Sequence, residues 1–183
     1  MRRTTLSLLL FVLTVLAMPA CAQVVASATG SRATLAVGGL FSYTQPDYDA
    51  PTNSVTSSTN HLMGIGAFVD YRMSRWVQLE AESRWQHWNQ YQDQIVSENM
   101  YAVGLREPIH TFGRLTPYGK ALIGFGSGNF LTGRAAMYAF GGGTDYRLKK
   151  RISLRADFEF QQWRVTPTLA PYTGSIGLSY RIF

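Results

Sequence analysis

The sequence predicts an all-β chain that folds as an antiparallel up-and-down barrel of eight strands, and three observations favour this fold. Apolar and polar residues alternate with a period of two in segment after segment beyond residue 22. Apolar spacings of three and four residues, which mark amphipathic helices, are rare. The alternating segments number eight, and the connections between them are alternately short and long. An even strand count with the short connections on one side is typical of a closed single-chain barrel.

The N-terminal segment predicts export. Two arginines precede an apolar run from Leu6 to Ala17, and small residues follow before Gln23. This three-part pattern is that of a secretory signal peptide, and the run is shorter than the about 20 residues that a spanning helix needs. We expect a signal peptide over residues 1–22, cleaved at its end, and one barrel domain over residues 23–183. Lipidation of Cys21, the only cysteine, is the alternative.

Four alternating segments form the first half of the predicted barrel. Their apolar faces carry Leu35, Val37, Phe41 and Tyr43, then Met63, Ile65, Val69 and Tyr71, then Val77, Leu79, Ala81 and Trp85, and finally Tyr101, Val103 and Leu105. A polar stretch with two prolines, residues 44–60, predicts a loop after the first strand. We expect a tight turn over residues 72–75, a second loop over 89–96 and a broader turn over 108–114.

Four further segments complete the ring. The fifth runs over residues 115–126, and the next three carry apolar faces of Tyr138, Phe140 and Tyr146, then Ile152, Leu154, Ala156, Phe158 and Phe160, and finally Ile176, Leu178, Tyr180 and Ile182. Residues 127–135 predict a loop and residues 148–151 a tight turn. A last loop is centred on Pro167 and Pro171, and both termini then fall on the side of the short turns.

One hairpin of the predicted barrel is repeated in the sequence. Asp70-Tyr71-Arg72 matches Asp145-Tyr146-Arg147, and the match continues at the same offset as far as Trp88 and Trp163. The two hairpins would lie on opposite walls of an eight-stranded ring. Convergence on one solution and an ancient duplication both explain the repeat.

Aromatic residues at the strand ends indicate which face points outward. Tyr71 and Tyr146 lie toward one end of their apolar faces, and Trp85 and Phe160 lie nearer the other end. Aromatic girdles of this kind mark the two interfaces of a bilayer. We therefore expect the apolar faces to contact lipid, which makes the barrel a transmembrane one.

The charged faces support the same orientation. Glu80, Glu82 and Arg84 alternate along one strand. A basic residue that faces the middle of a bilayer costs about 2–4 kcal/mol, and an acidic one somewhat less, so these side chains should point into the barrel. A soluble β-sandwich with its charges in water is the alternative that these residues alone leave open.

Several motifs together resemble the small outer membrane barrels of the OmpA/OmpX type and the opacity-like type. They are the export signal, the glycine-rich alternating strands, Pro117-Tyr118-Gly119, the strand from Ile152 to Phe160 and the terminal residues 179–183. The resemblance implies a monomer in the bacterial outer membrane, in contact with membrane lipid and lipopolysaccharide. It also implies recognition by the insertion machinery through the last strand ending at Phe183, although Phe183 falls on the opposite parity from Ile182.

An eight-stranded barrel is just wide enough for side chains to fill its interior. The inward positions carry six acids and four bases that can form one network, namely Asp70, Glu80, Glu82, Arg84, Lys120, Asp145, Arg147, Arg155, Asp157 and Glu159. Unpaired buried charges are costly, so we expect these groups to pair and to plug the lumen. A small-solute channel is the alternative.

Catalysis is not predicted. Lipid A deacylases among such barrels use a His-x-Ser sequence, whereas His87 is followed by Trp88 and Asn89, and the other histidines are His61 and His110. We expect no enzyme, no cofactor and no metal site, with a lipid-modifying enzyme as an alternative. Nucleic acid is not an expected partner, because aromatic and basic residues fall on opposite faces of the strands.

The long loops are the remaining place for function, since binding residues are often carried by loops on a rigid scaffold. Asp47, Tyr48 and Asp49 in the first loop and Tyr91 in the second are the candidate contacts. We predict a structural or adhesin-like role in which these loops contact an extracellular protein or glycan. A solvated cap without a partner is the alternative.

Overall fold

The computed structural model describes residues 33–45, 61–74, 77–87, 90–91, 94–129, 131–165 and 168–183. The side chains of residues 90, 91, 94 and 95 are outside this description. The predicted signal peptide and the candidate contacts Asp47, Tyr48 and Asp49 also lie outside the described residues.

Ten strands lie within the described residues, and eight of them close into one barrel. The strands are β1 (Thr34–Gln45), β2 (Leu62–Arg72), β3 (Gln78–Gln86), β4 (Gln90–Tyr91), β5 (Gln94–Ile95), β6 (Glu98–Pro108), β7 (Leu115–Gly128), β8 (Arg134–Arg147), β9 (Ile152–Trp163) and β10 (Tyr172–Arg181). Strands β4 and β5 form a separate two-stranded hairpin in the predicted second loop. The eight-stranded antiparallel fold predicted from the alternation is confirmed.

The barrel closes between its first and last strands. Neighbouring barrel strands are antiparallel throughout, and β1 pairs with both β2 and β10. In the closing pair Phe41 lies opposite Ile176, and Ala36 lies opposite Arg181. Closure leaves no unpaired sheet edge, which is what allows strands to cross a bilayer.

The alternation separates lipid-facing from interior side chains as the sequence predicted. On β7 the side chain of Ile123 is 68% exposed, whereas that of its neighbour Leu122 is 1% exposed. The same contrast holds on β2 between Val69 and the interior Asp70. No helix among the described residues is long and apolar enough to cross a membrane.

Several strands are longer than the pattern predicted. Strand β9 continues to Trp163, and β7 and β8 shorten the predicted loop over residues 127–135 at both ends. Strand β10 ends at Arg181, and the N–H of Ile182 still donates to the carbonyl oxygen of Leu35 at 2.8 Å. Phe183 lies beyond this last pairing, so its parity does not conflict with the register of the strand.

Small interior residues make room for large side chains. A Cβ atom at Gly126 on β7 would lie 2.0 Å from the Trp163 ring of β9. A Cβ atom at Gly38 on β1 would lie 2.2 Å from the Phe68 ring of β2. Contacts this short do not occur between real atoms, so each aromatic ring occupies the space that its glycine leaves empty.

Candidate functional site

The lumen of the barrel holds a cluster of buried charges, which we call the charged cluster. Strands β2, β3, β6, β7, β8 and β9 contribute to it. Its members are Asp70, Glu80, Glu82, Arg84, Arg106, Lys120, Asp145, Arg155, Asp157 and Glu159. Period-two alternation along each strand places all of these side chains on the face that points away from lipid.

Lys120 of β7 lies at the centre of the charged cluster. Its Nζ atom is 3.1 Å from Glu80 Oε1, 3.0 Å from Glu82 Oε2 and 3.6 Å from Asp157 Oδ2. A fourth carboxylate, that of Glu159, also pairs with it. One ammonium group therefore ties three strands of the barrel together across the lumen.

Two arginines bind the acids nearer the short turns. Arg155 Nη1 is 3.0 Å from Glu80 Oε2, and its Nε is 3.1 Å from Asp145 Oδ1. Arg106 Nε lies 3.5 Å from the same Glu80 oxygen, and both arginines also pair with Asp70. The guanidinium of Arg106 stacks 3.5 Å from the centre of the Tyr118 ring, so the planar groups fill the interior as well as pairing.

The repeated hairpins face each other across the cluster with opposite charges. Arg84 Nη2 is 2.6 Å from Glu159 Oε1, and Arg155 pairs with Glu80; the partners in each pair are 75 residues apart. This separation equals the offset of the sequence repeat. Equivalent positions thus meet at the same depth in the barrel, and the charge reversal between them turns repulsion into pairing.

The structure brings nine of the ten predicted lumen residues together and leaves one out. Arg147 is exposed beyond the barrel interior, and it makes no salt bridge with another described residue. The alternation correctly predicted the inward parity of Arg147. The residue is the last one of β8, however, and it lies past the end of the lumen. The prediction missed Arg106, whose inward parity follows from its neighbour Leu105. It also missed Tyr118, whose hydroxyl donates to Asp157.

A second interior region is apolar, and the sequence analysis did not predict it. It lies nearer the long-loop end and consists of Met100, Ala102, Leu122, Ala135, Met137, Ala139, Trp163 and Leu169, with Leu131 and Val165 packed against it. We call it the apolar cluster. Its strand residues share the inward parity of the charges, so parity gives the face and leaves the polarity of the interior undetermined.

A belt of hydrogen bonds between uncharged side chains runs from β3 through β1 and β10 to Trp163 of the apolar cluster on β9. Thr44 Oγ1 and Thr173 Oγ1 are 2.7 Å apart, and Gln161 Nε2 donates to Thr173 Oγ1 at 3.3 Å. Trp163 Nε1 donates to Gln161 Oε1 at 3.1 Å, and Gln86 donates to Thr44. The belt satisfies polar groups where the barrel meets its long loops.

The predicted aromatic girdle residues lie on the outer wall. Tyr71 and Tyr146 are exposed, and Trp85 and Phe160 are half-buried. Trp85 Nε1 donates to the Tyr101 hydroxyl at 3.0 Å, and the rings of Phe160 and Tyr172 are 5.3 Å apart. Aromatic side chains with a polar tip suit the boundary between acyl chains and water.

The family of the chain follows from comparison with known proteins. A family model described as the outer membrane protein beta-barrel domain matches residues 8–181. The chain belongs to this outer membrane β-barrel family. Its localisation is therefore the bacterial outer membrane, as the sequence predicted. No curated protein matches the sequence significantly.

Solved structures with the same fold come from several small outer membrane barrels. Neisserial surface protein A has a TM-score of 0.59 at 13% identity, over 82% of this chain and 97% of the other. OprG of Pseudomonas aeruginosa has a TM-score of 0.57 at 11% identity, over 83% and 97%. Ail of Yersinia pestis, solved with the heparin analogue sucrose octasulfate, has a TM-score of 0.54 at 14% identity, over 84% and 100%. This supports the predicted OmpA/OmpX-type fold.

Outer membrane barrels place their short turns in the periplasm and their long loops outside the cell. The long-loop end of this barrel, which carries β4 and the backbone of the candidate contact Tyr91, therefore lies outside the cell. His61 and His87 lie at this end, whereas His110 lies in the turn between β6 and β7, with its ring 4.7 Å from that of Phe112. In the described part of the chain, no group of three or more His, Cys, Asp and Glu side chains could hold a metal ion.

Proposed function

We propose that this outer membrane barrel is a non-conducting scaffold that acts at the cell surface through its long loops, in a structural or adhesin-like role. One observation carries the proposal. The charged cluster crosses the lumen from wall to wall, and its buried side chains occupy the path that a solute would take.

The packing of the lumen gives the physical argument against a channel. The side chains of Glu80, Glu159 and Lys120 are 1% exposed or less, and Lys120 pairs directly with both acids. Moving such groups aside would separate buried charges, which is costly in a low-dielectric interior. The apolar cluster adds Trp163, also 1% exposed, at a second level of the same lumen. Opening a path would require both levels to rearrange.

A role at the surface is supported by the end of the barrel at which the long loops lie. Rigid scaffolds commonly present binding residues on such loops. Ail, which shares the fold, was solved with a sulfated heparin analogue, so a sulfated glycan is a sensible first probe for this protein. We place the partner class as an extracellular protein or glycan, and we propose no catalytic role.

Conductance in planar bilayers tests the closed lumen. We expect the purified chain to give no steady openings. The positive control is the triple variant Glu80→Ala, Lys120→Ala and Glu159→Ala, which removes side chains from the centre of the charged cluster and should raise the frequency of openings if it folds. Steady, ion-selective openings from the unaltered protein would establish the channel alternative and overturn the proposal.

Loop exchange tests the surface role. Residues 46–60 would be replaced by a Gly-Ser linker of equal length, which keeps Thr44 and its pairing with Thr173. We expect binding to immobilised heparin or to extracellular-matrix proteins to fall at least about tenfold, while the heat-dependent shift in gel mobility stays. The same exchange within the periplasmic turn, over residues 110–113, is the control that should leave binding intact. Equal binding by both variants and the parent would contradict a role for this loop.

A further inference from the structure

The periplasmic end of the barrel carries a group of bases that the lumen does not use. Five of them, with one leucine, line a cavity of about 300 Å³. The lining residues are Arg114, Arg147, Leu148, Lys149, Lys150 and Arg181. We call this group the basic rim. All six side chains are exposed.

Backbone pairing brings the bases of the rim together from three parts of the chain. The N–H of Arg147 donates to the carbonyl oxygen of Arg114 at 2.8 Å, which joins the end of β8 to the turn before β7. The N–H of Arg181 donates to the carbonyl oxygen of Arg151 at 2.8 Å, which joins the end of β10 to the turn before β9. The rim therefore combines two strand ends with two short turns and does not depend on one loop.

The charge of the rim is not neutralised within the described residues. None of its five bases forms a salt bridge with another described side chain. Lys150 and Arg181 also line a cavity of about 50 Å³ in the mouth of the lumen, together with Arg72 and Arg151. The acids of that cavity, Asp70 and Asp145, already pair with Arg106 and Arg155 of the charged cluster. Glu107 is exposed at the same end but lines neither cavity. Like charges gathered at this density repel one another, and an anion would relieve that repulsion.

Exposed apolar side chains accompany the bases. Leu148 lies within the rim and is 45% exposed, and Met73, Ile109 and Phe112 are exposed in the neighbouring short turns. Bases beside apolar side chains suit a membrane surface, where the apolar groups enter the acyl boundary and the bases meet phosphates. Because the short turns face the periplasm, the surface available to them is the phospholipid leaflet of the outer membrane.

We propose that the basic rim binds the phosphate group of an anionic phospholipid in the periplasmic leaflet. The cavity is about ten times the roughly 30 Å³ that one water occupies in the liquid, so it admits a headgroup phosphate with its glycerol. Arginine supplies paired N–H donors to phosphate oxygens, and lysine supplies a mobile point charge. The rim selects anionic lipid over zwitterionic lipid, because a zwitterionic headgroup brings its own cation.

Lipid retention tests this site. The purified full chain would be folded into nanodiscs of equal parts phosphatidylglycerol and phosphatidylcholine, and the lipids that stay bound after gentle release would be counted by native mass spectrometry. We expect the parent to retain phosphatidylglycerol preferentially. In the variant Lys149→Gln with Lys150→Gln, the preference for phosphatidylglycerol should fall at least about fivefold, since one interfacial base contributes a factor of about five in affinity for anionic lipid. The matched control, Arg134→Gln with Arg164→Gln at the long-loop end, should keep it.

Three outcomes would overturn the proposal. The first is an equal loss of preference in the rim variant and in the matched control. The second is displacement of phosphatidylglycerol by inorganic phosphate at concentrations where sodium chloride of equal ionic strength has no effect, which would assign the cavity to a soluble phosphate. The third is binding to isolated cell-wall peptidoglycan that is lost in the rim variant without any lipid preference in the parent.

Discussion

The two interior regions of this outer membrane barrel fill the same lumen by different physical means. The charged cluster joins strands through ion pairs, and each of its groups depends on partners from several walls. The apolar cluster fills space by shape, with the Trp163 ring lying over Gly126. The difference teaches that a narrow barrel can be closed by paired charges where partners of opposite sign face each other, and by apolar packing where they do not.

The charged cluster contains more acids than bases, so its charges do not balance. Six acids face four bases, so carboxylate atoms such as Glu159 Oε2 have no hydrogen-bond donor among the described residues. Loss of a base should therefore damage the barrel more than loss of an equal volume in the apolar cluster, because it adds to an existing excess of negative charge.

The largest expected effect comes from Lys120→Met, which keeps an unbranched side chain that is one atom shorter and removes its charge. Four carboxylates lose their shared partner. Removing one partner of a buried ionic group costs about 3–5 kcal/mol, and we expect a loss of this size in the free energy of unfolding. Urea titration of the protein folded in lipid vesicles, followed by tryptophan fluorescence, would measure it.

A second substitution separates charge from packing at this site. Adding Glu159→Gln to Lys120→Met removes one acid and restores the original charge balance. Groups in contact couple by about 0.5–3 kcal/mol, so the double variant should lose at least about 1 kcal/mol less than the sum of the two single losses. Strictly additive losses would mean that Lys120 acts through its volume alone.

The next effect is that of Trp163→Ala in the apolar cluster. The ring is buried, lies over Gly126 of β7 and donates to Gln161. Removing a buried tryptophan costs about 3–5 kcal/mol, and we expect the lower end of this range because the long-loop end can admit water. The loss should be insensitive to salt, because the substitution removes no charge. A salt-dependent loss in the same urea titration would show that the two regions are not distinct.

A smaller effect tests whether shape holds the apolar cluster. Gly126→Ala places a methyl group where the Trp163 ring lies, and overpacking of this kind costs about 1–3 kcal/mol. The matched control is Gly119→Ala on the same strand, where the nearest atom to an added Cβ is 4.0 Å away. Thermal shifts of the gel-mobility transition would compare the two variants, and equal shifts would contradict a packing role for Gly126.

The sequence predicted correctly which face of a strand a residue occupies, but it did not predict how deep in the barrel the residue lies. Parity placed Asp70, Glu80 and Lys120 inside because alternation fixes which side of a strand a residue occupies. Depth depends on the register between strands and on where each strand ends, and neither follows from one strand alone. Arg147 therefore had the predicted parity but lies past the interior. Trp163 and Met137 show the same limit, since the sequence did not reveal that inward apolar residues of β8 and β9 would meet.

The smallest expected effect tests the correction at Arg147. Because this side chain is exposed and forms no salt bridge with another described residue, Arg147→Gln should change the free energy of unfolding by no more than about 0.5 kcal/mol. Arg106→Gln is the matched comparison, since it removes the same group from a side chain that pairs with Asp70, Glu80 and Asp145. We expect it to cost about 3 kcal/mol or more. A loss above about 1 kcal/mol for Arg147→Gln would indicate that this residue belongs to the charged cluster and not to the basic rim.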